Sequence, residues 1–407
     1  MPQTTKHKIE EELKKGSNLS IISLVDQLIR YANESRASDI HLDPNEKGLG
    51  VRFRIDGVLQ DVFGFPREIR SEVISRIKVL AGLRTDEHQT AQDGRFRSLL
   101  EDVGPIDIRV SIAPAYHGEN AVLRLLSDKA EEFSLDLLGF SDADAENVLK
   151  AIKRPHGMIL ATGPTGSGKT TTLYTLIKLL NTKEISIITI EDPIEYSVEG
   201  INQIQVNPRT GLSFANGLRS VLRQDPDIIM VGEIRDSETA SLAVNTALTG
   251  HLLLSTLHTN DAATTLPRLL DMKIEPYLVA STVNLAIAQR LVRKICPVCK
   301  EKKPVTDSER KSLKNIFSEK LLATAKDFYH GKGCDKCGQS GYRGRLGIYE
   351  VMVVGESIKE LFLRRASATE IRHLAIANGM TPMIEDGFRK AMSGLTTIEE
   401  VLRVIHE

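Results

Sequence analysis

Gly163-Pro164-Thr165-Gly166-Ser167-Gly168-Lys169-Thr170 fits the pattern G-x-x-x-x-G-K-[ST] at every position. It follows the apolar run Met158-Ile159-Leu160-Ala161 and opens into Thr170 to Leu180, which reads as a helix. In that setting a glycine-rich loop wraps phosphate, because glycines let backbone N–H groups close around the oxygens at a helix N-terminus. Lys169 then places a cation on the β and γ phosphates, and the Thr170 hydroxyl can ligate Mg²⁺. Gly163, Thr165, Gly166, Ser167, Gly168 and Thr171 complete the expected cradle for ATP.

Around this loop, Ser186 to Glu191, Asp227 to Val231 and Leu252 to Ser255 read as strands separated by helical patterns. That alternation predicts an α/β domain, a parallel sheet covered by helices. Upstream the pattern differs. Leu19 to Ala32 has helical spacing, Val51 to Ile55 alternates strictly, Asp56-Gly57 is a hairpin turn, and Val58 to Phe65 returns. Glu68 to Leu83 is again helical, and Ile106 to Val110 and Ala121 to Leu126 read as strands. The expected organisation is a polar tail over 1–16, a small α+β domain over 17–130, and the loop-bearing domain over 131–407. Asp128 to Ser134 forms a charged connector, a tetracysteine segment spans 294–345 with a poorly periodic insertion at 300–333, and 355–407 is helical.

A chain of 407 residues exceeds one ordinary core, and 41% hydrophobic with 26% charged residues is the composition of a folded globular protein. With 53 basic and 54 acidic side chains there is no overall field to draw nucleic acid or anionic lipid. Met1 to Ser17 lacks the apolar core of a signal peptide, and runs such as Ile185 to Ile190 fall far short of the roughly 20 residues that span a bilayer. No transmembrane segment is expected, and the location is cytoplasmic.

Asp227 to Val231 ends at Gly232-Glu233, with glycine where such strands usually carry aspartate. Glu233 either polarises the attacking water or merely closes a core strand. Glu191-Asp192-Pro193-Ile194-Glu195 ends another strand at the same sheet edge; its carboxylates, with Asp192 and Glu195 foremost, either serve the metal's surroundings or form a turn. His251 and His258 flank the Leu252 strand, and His258 is better placed to meet a γ phosphate. Arg219, Arg223, Arg235, Arg109 and Arg124 are cations that phosphoryl transfer could use, although spacing alone leaves them on a solvated surface. Cys296, Cys299, Cys334 and Cys337 form two C-x-x-C pairs suited to tetrahedral Zn²⁺ with no open position, hence a structural site. A redox pair is the rival, without a thioredoxin-like context to support it.

Taken together, the loop, EDPIEY, VGEIRD, TGHLLLSTLHTN and the cysteine pairs resemble the secretion ATPases of type II secretion and type IV pilus assembly. The resemblance runs from about Ser17 to the end. It implies a RecA-like domain in which these segments are the Walker A, aspartate, Walker B and histidine boxes. Lys169, Thr170, Asp192, Glu195, Glu233, His251 and His258 would then serve the nucleotide. It further implies that Arg109 and Arg124 act on the nucleotide from a PAS-like N-terminal domain, to which Ser38-Asp39-Ile40-His41 and Gln92-Asp93-Gly94-Arg95 are similar. The implied assembly is a homohexameric ring at the inner face of the cytoplasmic membrane, driving a platform protein there. The cysteine set is similar to that of the assembly and secretion branch rather than the retraction motors, and the usual first docking domain is not matched. RecA-like domains also drive nucleic-acid motors, but near-neutral charge, no tryptophan and no base-stacking motif count against direct nucleic-acid binding. A scaffold that binds nucleotide without hydrolysing it is the other rival.

Overall fold

The computed structural model describes residues 2–100, 104–126, 134–314, 316–317, 319–325 and 327–406. The connector expected at 128–134 lies outside them apart from Ser134. The chain divides into two compact units, Met1–Ala130 and Glu131–Glu407.

The first unit contains α1 Pro2–Lys14, α2 Ile21–Glu34, β1 Ala37–Pro44, β2 Gly48–Ile55, β3 Val58–Pro66, α3 Arg70–Leu80, β4 Gln92–Leu100, β5 Gly104–Ala115 and β6 Gly118–Leu126. The strands form one antiparallel sheet in the order β3-β2-β1-β6-β5-β4. At the expected hairpin Ile55 pairs with Val58, and Asp56 and Gly57 both take positive φ, 50° and 89°, the twist that suits a two-residue turn. Helix α2 starts at Ser20, whose side chain accepts from Ser23 N, and buries Leu24, Val25, Leu28, Ile29 and Ala32 along one stripe. That stripe packs with Ile40, Leu42, Val51, Phe53, Ile108, Val110 and Leu123 from alternate strand positions.

One expectation is corrected here. Residues 2–14 are no polar tail: they fold as α1, with Ile9 fully buried in this core. Thr5 Oγ1 donates to Glu34 Oε1 at 3.0 Å, and Glu12 Oε1 accepts from Ser20 N at 2.7 Å. A few apolar side chains, Ile9 with Leu13, suffice to dock a helix whose average composition is polar.

The second unit runs α4 Leu135–Leu138, α5 Asp142–Ile152, β7 Gly157–Thr162, α6 Lys169–Leu180, β8 Ile187–Glu191, β9 Asn202–Gln205, α7 Phe214–Val221, β10 Ile228–Val231, α8 Ser237–Leu248, β11 Leu252–Leu257, α9 Thr265–Asp271, α10 Pro276–Thr282 and β12 Val283–Ile295. It continues with β13 Lys300–Pro304, α11 Asp307–Leu313, α12 Glu319–Thr324, β14 Asp327–Gly331, β15 Tyr342–Val353, α13 Glu356–Leu363, α14 Ala368–Ala377, α15 Met383–Met392 and α16 Ile398–His406. The seven-stranded sheet has the order β15-β12-β7-β11-β10-β8-β9. Neighbours pair in parallel except the edge strand β15, antiparallel to β12. This is the predicted α/β sheet.

Side chains alternate across its faces. Met158, Leu160, Ile188, Ile190, Ile229, Val231 and Leu253 join a core with α7, α8 and the C-terminal helices, whereas Ile159, Ala161, Ile187, Ile228, Met230 and Leu254 join one with α5 and α6. Both faces are therefore covered. The insertion between the cysteine pairs, expected to be poorly periodic, instead pairs β13 with β14 and packs Leu313, Phe317, Leu322 and Phe328 against Phe388 and Ala391 of α15. Its core is borrowed from a later helix, so its own sequence carries little periodicity. No helix among the described residues is long and apolar enough to cross a membrane.

Candidate functional site

The loop at Gly163 leaves the C-terminal end of β7 and enters α6 at Lys169. Gly163 and Gly168 hold φ of 140° and 89°, and a Cβ at Gly163 would stand 2.4 Å from Gln289 O, so both positions demand glycine. Lys169 is buried, and its Nζ donates to Gly163 O and Pro164 O, each at 2.9 Å. Burial lowers its proton affinity below the ordinary lysine value, partly offset by the Glu233 carboxylate. Ser167 Oγ is buried without a partner among the described residues. Thr170 and Thr171 are half-buried in the first turn of α6, and Thr165 is exposed on the loop.

Glu233 follows β10 at the same sheet edge. Hydroxyls of β11 fix its turn: Ser255 Oγ donates to Val231 O at 2.7 Å and Thr256 Oγ1 to Gly232 O at 2.8 Å. The glycine found where aspartate is usual sits close to β8, since a Cβ at Gly232 would lie 3.2 Å from Ile190 O. Glu233 itself is 9% exposed. Its Oε2 accepts from Arg235 Nε at 2.5 Å and lies 3.3 Å from His258 Nε2. The Arg235 side chain is 67% exposed, so the pair contributes only about 0.2–1 kcal/mol and the arginine can swing away at little cost. Lys169, Glu233, His258 and Arg235 thus converge at one edge, a cation for phosphate beside a carboxylate able to take a proton from water.

The acidic segment divides its roles. Glu191 is buried, accepting from Tyr174 OH of α6, from Thr189 Oγ1 at 2.5 Å and from Gln203 Nε2 at 3.2 Å, which makes it a brace for the P-loop helix. Asp192 is exposed and Glu195 half-buried, and neither carboxylate has a partner among the described residues.

Other expected residues of the second unit are not brought to this edge. His251 precedes β11, its Nδ1 3.2 Å from Thr246 O. The seven steps from it across β11 to His258 come to roughly 23 Å at ~3.3 Å per residue. Flanking a strand in sequence means sitting at its opposite ends. Arg219 donates to Glu238 Oε1 at 2.7 Å and to Asn216 Oδ1 at 3.1 Å, and Arg223 to Arg219 O at 2.8 Å. Helix α7 ends at Val221, so Arg223 lies beyond it and shares no helix face with Arg219, which reaches the first turn of α8 alone. In the first unit the register Arg54↔Asp39↔Arg124↔Arg109↔Arg95 lines four arginines and one aspartate across the sheet on the same face. Arg124 Nε donates to Asp39 Oδ1 at 2.9 Å.

The four cysteines do meet. Their Sγ atoms all lie within 4.8 Å of one another, with Cys296–Cys334 at 3.9 Å, Cys299–Cys337 at 3.8 Å and Cys334–Cys337 at 3.7 Å. Zn–S bonds of about 2.3 Å in a tetrahedron place sulfurs about 3.8 Å apart, so the set is compatible with zinc. Burial works against the Cys337 thiolate, but N–H groups of Cys334 and Gly341 and the neighbouring thiols outweigh it and bring its pKa down to about 7.

Sequence reasoning missed Gln289 of β12. Its Nε2 donates to Ser167 O at 2.8 Å and its Oε1 accepts from Thr172 Oγ1 at 2.9 Å. Strand β12, Val-Asn-Leu-Ala-Ile-Ala-Gln-Arg-Leu-Val-Arg-Lys-Ile, carries polar residues inside a buried run, the one signal that could have drawn attention to it.

The family described as type II/IV secretion system protein matches residues 14–403. The type IV pilus assembly ATPase PilB of Myxococcus xanthus is 46% identical over 394 residues, covering 97% of this chain and 69% of that protein. The type II secretion system ATPase E of Vibrio cholerae serotype O1 is 46% identical over 400 residues, covering 98% and 78%. The crystal structure of the pilus retraction motor PilT with bound ADP superimposes with a TM-score of 0.64 at 29% identity, covering 93% of this chain and 96% of that one. With the P-loop edge intact and the match running over nearly its whole length, this chain belongs to the type II/IV secretion system family of ATPases.

Proposed function

We propose that the chain is the ATP-hydrolysing motor of a type IV pilus or type II secretion machine. In this reading it works as a homohexameric ring at the inner face of the cytoplasmic membrane and passes force to an inner-membrane platform protein. The observation that carries it is the convergence of Lys169, Glu233 and His258 at one sheet edge. Lys169 holds the β and γ phosphates, Glu233 takes the proton of the attacking water, and His258 orients that carboxylate. The Thr170 hydroxyl would hold Mg²⁺, with Asp192 and Glu195 as the carboxylates that would serve it; the ion would supply charge neutralisation at the phosphates. Arg109 and Arg124 supply cations against the charge that develops on transfer. The four cysteines hold a structural zinc that closes the base of the insertion.

The test is MgATP turnover by the purified chain, with the mass of the assembled particle. Six copies per particle and a kcat lowered by about 10²–10⁴-fold in Glu233→Gln, with nucleotide binding retained, is the expected result. A wild-type protein that binds ATP without turning it over would be a scaffold, and the motor reading would fail.

A further inference from the structure

Gln289 is buried, 1% exposed, at the point where β12 runs past the end of β7. Ala288 is paired with Thr162, so the next residue on β12 lies directly under the first residue of the loop. Its backbone oxygen is the atom that excludes any side chain at Gly163, and its Nε2 would stand 3.2 Å from a Cβ at Gly168. One residue therefore touches the glycines at both ends of the cradle. The side-chain amide uses both its polar atoms there, donating to Ser167 O and accepting from Thr172 Oγ1 of α6.

The consequence follows from peptide geometry. The Ser167 carbonyl and the Gly168 N–H belong to one planar unit and point in opposite directions. Fixing the carbonyl on Gln289 aims the N–H away from β12, toward the hollow in which phosphate oxygens are received. Through Thr172 the same amide also sets the first turn of α6, which carries Lys169 and Thr170. On the other side β12 pairs Gln289 with Tyr349 of β15, whose hydroxyl donates to Leu138 O at 3.1 Å.

We propose that Gln289 is a positioning residue for the phosphate-binding loop, holding the Ser167–Gly168 peptide so that its N–H faces the bound nucleotide's phosphates. This rests on the nucleotide-binding reading of the loop. A preset loop binds ground state and transition state alike, so loss of Gln289 raises KM and Kd for MgATP while kcat changes little.

The experiment uses the full chain with Gln289→Leu and Gln289→Glu, measuring MgATP affinity by fluorescent-nucleotide displacement, steady-state turnover, and thermal melting without nucleotide. Gln289→Leu keeps the volume and loses both hydrogen bonds, and should weaken affinity on the order of tenfold to hundredfold, the weight of one unsatisfied buried carbonyl. Gln289→Glu supplies a second signature. A carboxylate placed against Ser167 O is repelled by it, whereas the protonated acid can donate as the amide does. Burial raises that acid's pKa, so affinity in the variant should recover as pH falls from about 8 toward about 6, with no such recovery in the wild type. If Gln289→Leu does not fold, the pH dependence within Gln289→Glu decides alone. Unchanged affinity, a fall in kcat with KM unchanged, or a pH-independent loss in Gln289→Glu would each overturn the proposal. Failure of the wild type to bind or hydrolyse ATP would instead sink the reading of the loop itself.

Discussion

The two sheets of this chain present their chemistry in different places. In the second unit, Ile229 and Val231 of β10 face one apolar core while Ile228 and Met230 face another, so neither side is open. Groups that can meet a ligand sit where β7, β10 and β11 end, at Gly163 to Thr170, Glu233 and His258. Among the described residues of the first unit, α1, α2 and α3 pack on one side of the sheet, and the other side carries the transverse row Arg54, Asp39, Arg124, Arg109 and Arg95. A sheet covered twice must act through its edge, and one covered once can act through its face. In the second unit, therefore, catalysis and stability should separate by position along a strand, and in the first by side of the sheet.

The largest effect expected is at the edge. Lys169→Ala removes the one buried ammonium from the loop and should lower MgATP turnover by about 10³-fold. Its melting temperature should hardly move, because Lys169 satisfies only two loop carbonyls and burial already disfavours its charge. Phosphate release and calorimetry on the same preparation check both halves. If turnover and fold were lost together, edge and core would not be separable. The converse substitution is Leu253→Ala, in the middle of β11 and fully buried between Ile229 and Met158. It should cost about 2–5 kcal/mol in a urea titration while each folded molecule keeps its turnover.

This contrast also explains how much could be read in advance. Long apolar runs such as Ile187 to Glu191 and Leu252 to Leu257 announce buried strands, and the loop with its strand and helix announces the edge. Glu233 was legible because a carboxylate closes such a run. What stayed hidden depends on contacts between distant segments. Helix α1 needs the surface of α2 before Ile9 has anything to bury against, and the insertion needs Phe388 of α15. Gln289 reads as one polar residue in a strand until β12 is laid beside β7. His258 could be preferred over His251 because it follows the strand rather than precedes it, but its 3.3 Å approach to Glu233 shows only when β11 is laid beside β10. The arginine row emerges only from register, which joins residues up to 85 positions apart, as in Arg124 with Asp39.

The smallest effect on stability is expected on the arginine-bearing face, and it tests the comparison most sharply. The Arg124 side chain is 61% exposed, and its partner Asp39 also accepts from Ser38 Oγ at 2.8 Å and lies 3.7 Å from Arg54 Nε. Asp39 is buried, so losing every partner would strand a charge, yet two remain when Arg124 is removed. Arg124→Ala should therefore cost about 1 kcal/mol or less, an amount seen as a small shift in the urea midpoint. Turnover measured in assembled particles should nevertheless fall, and fall further when Arg109→Ala is added, if the face supplies cations to the nucleotide. A cost of several kcal/mol would make the row a clamp on Asp39, and this face would then be structural like the helix-covered one. A double variant with full stability and full turnover would remove the row from hydrolysis altogether, leaving the edge of the second sheet to do the chemistry with its own lysine, carboxylate and histidine.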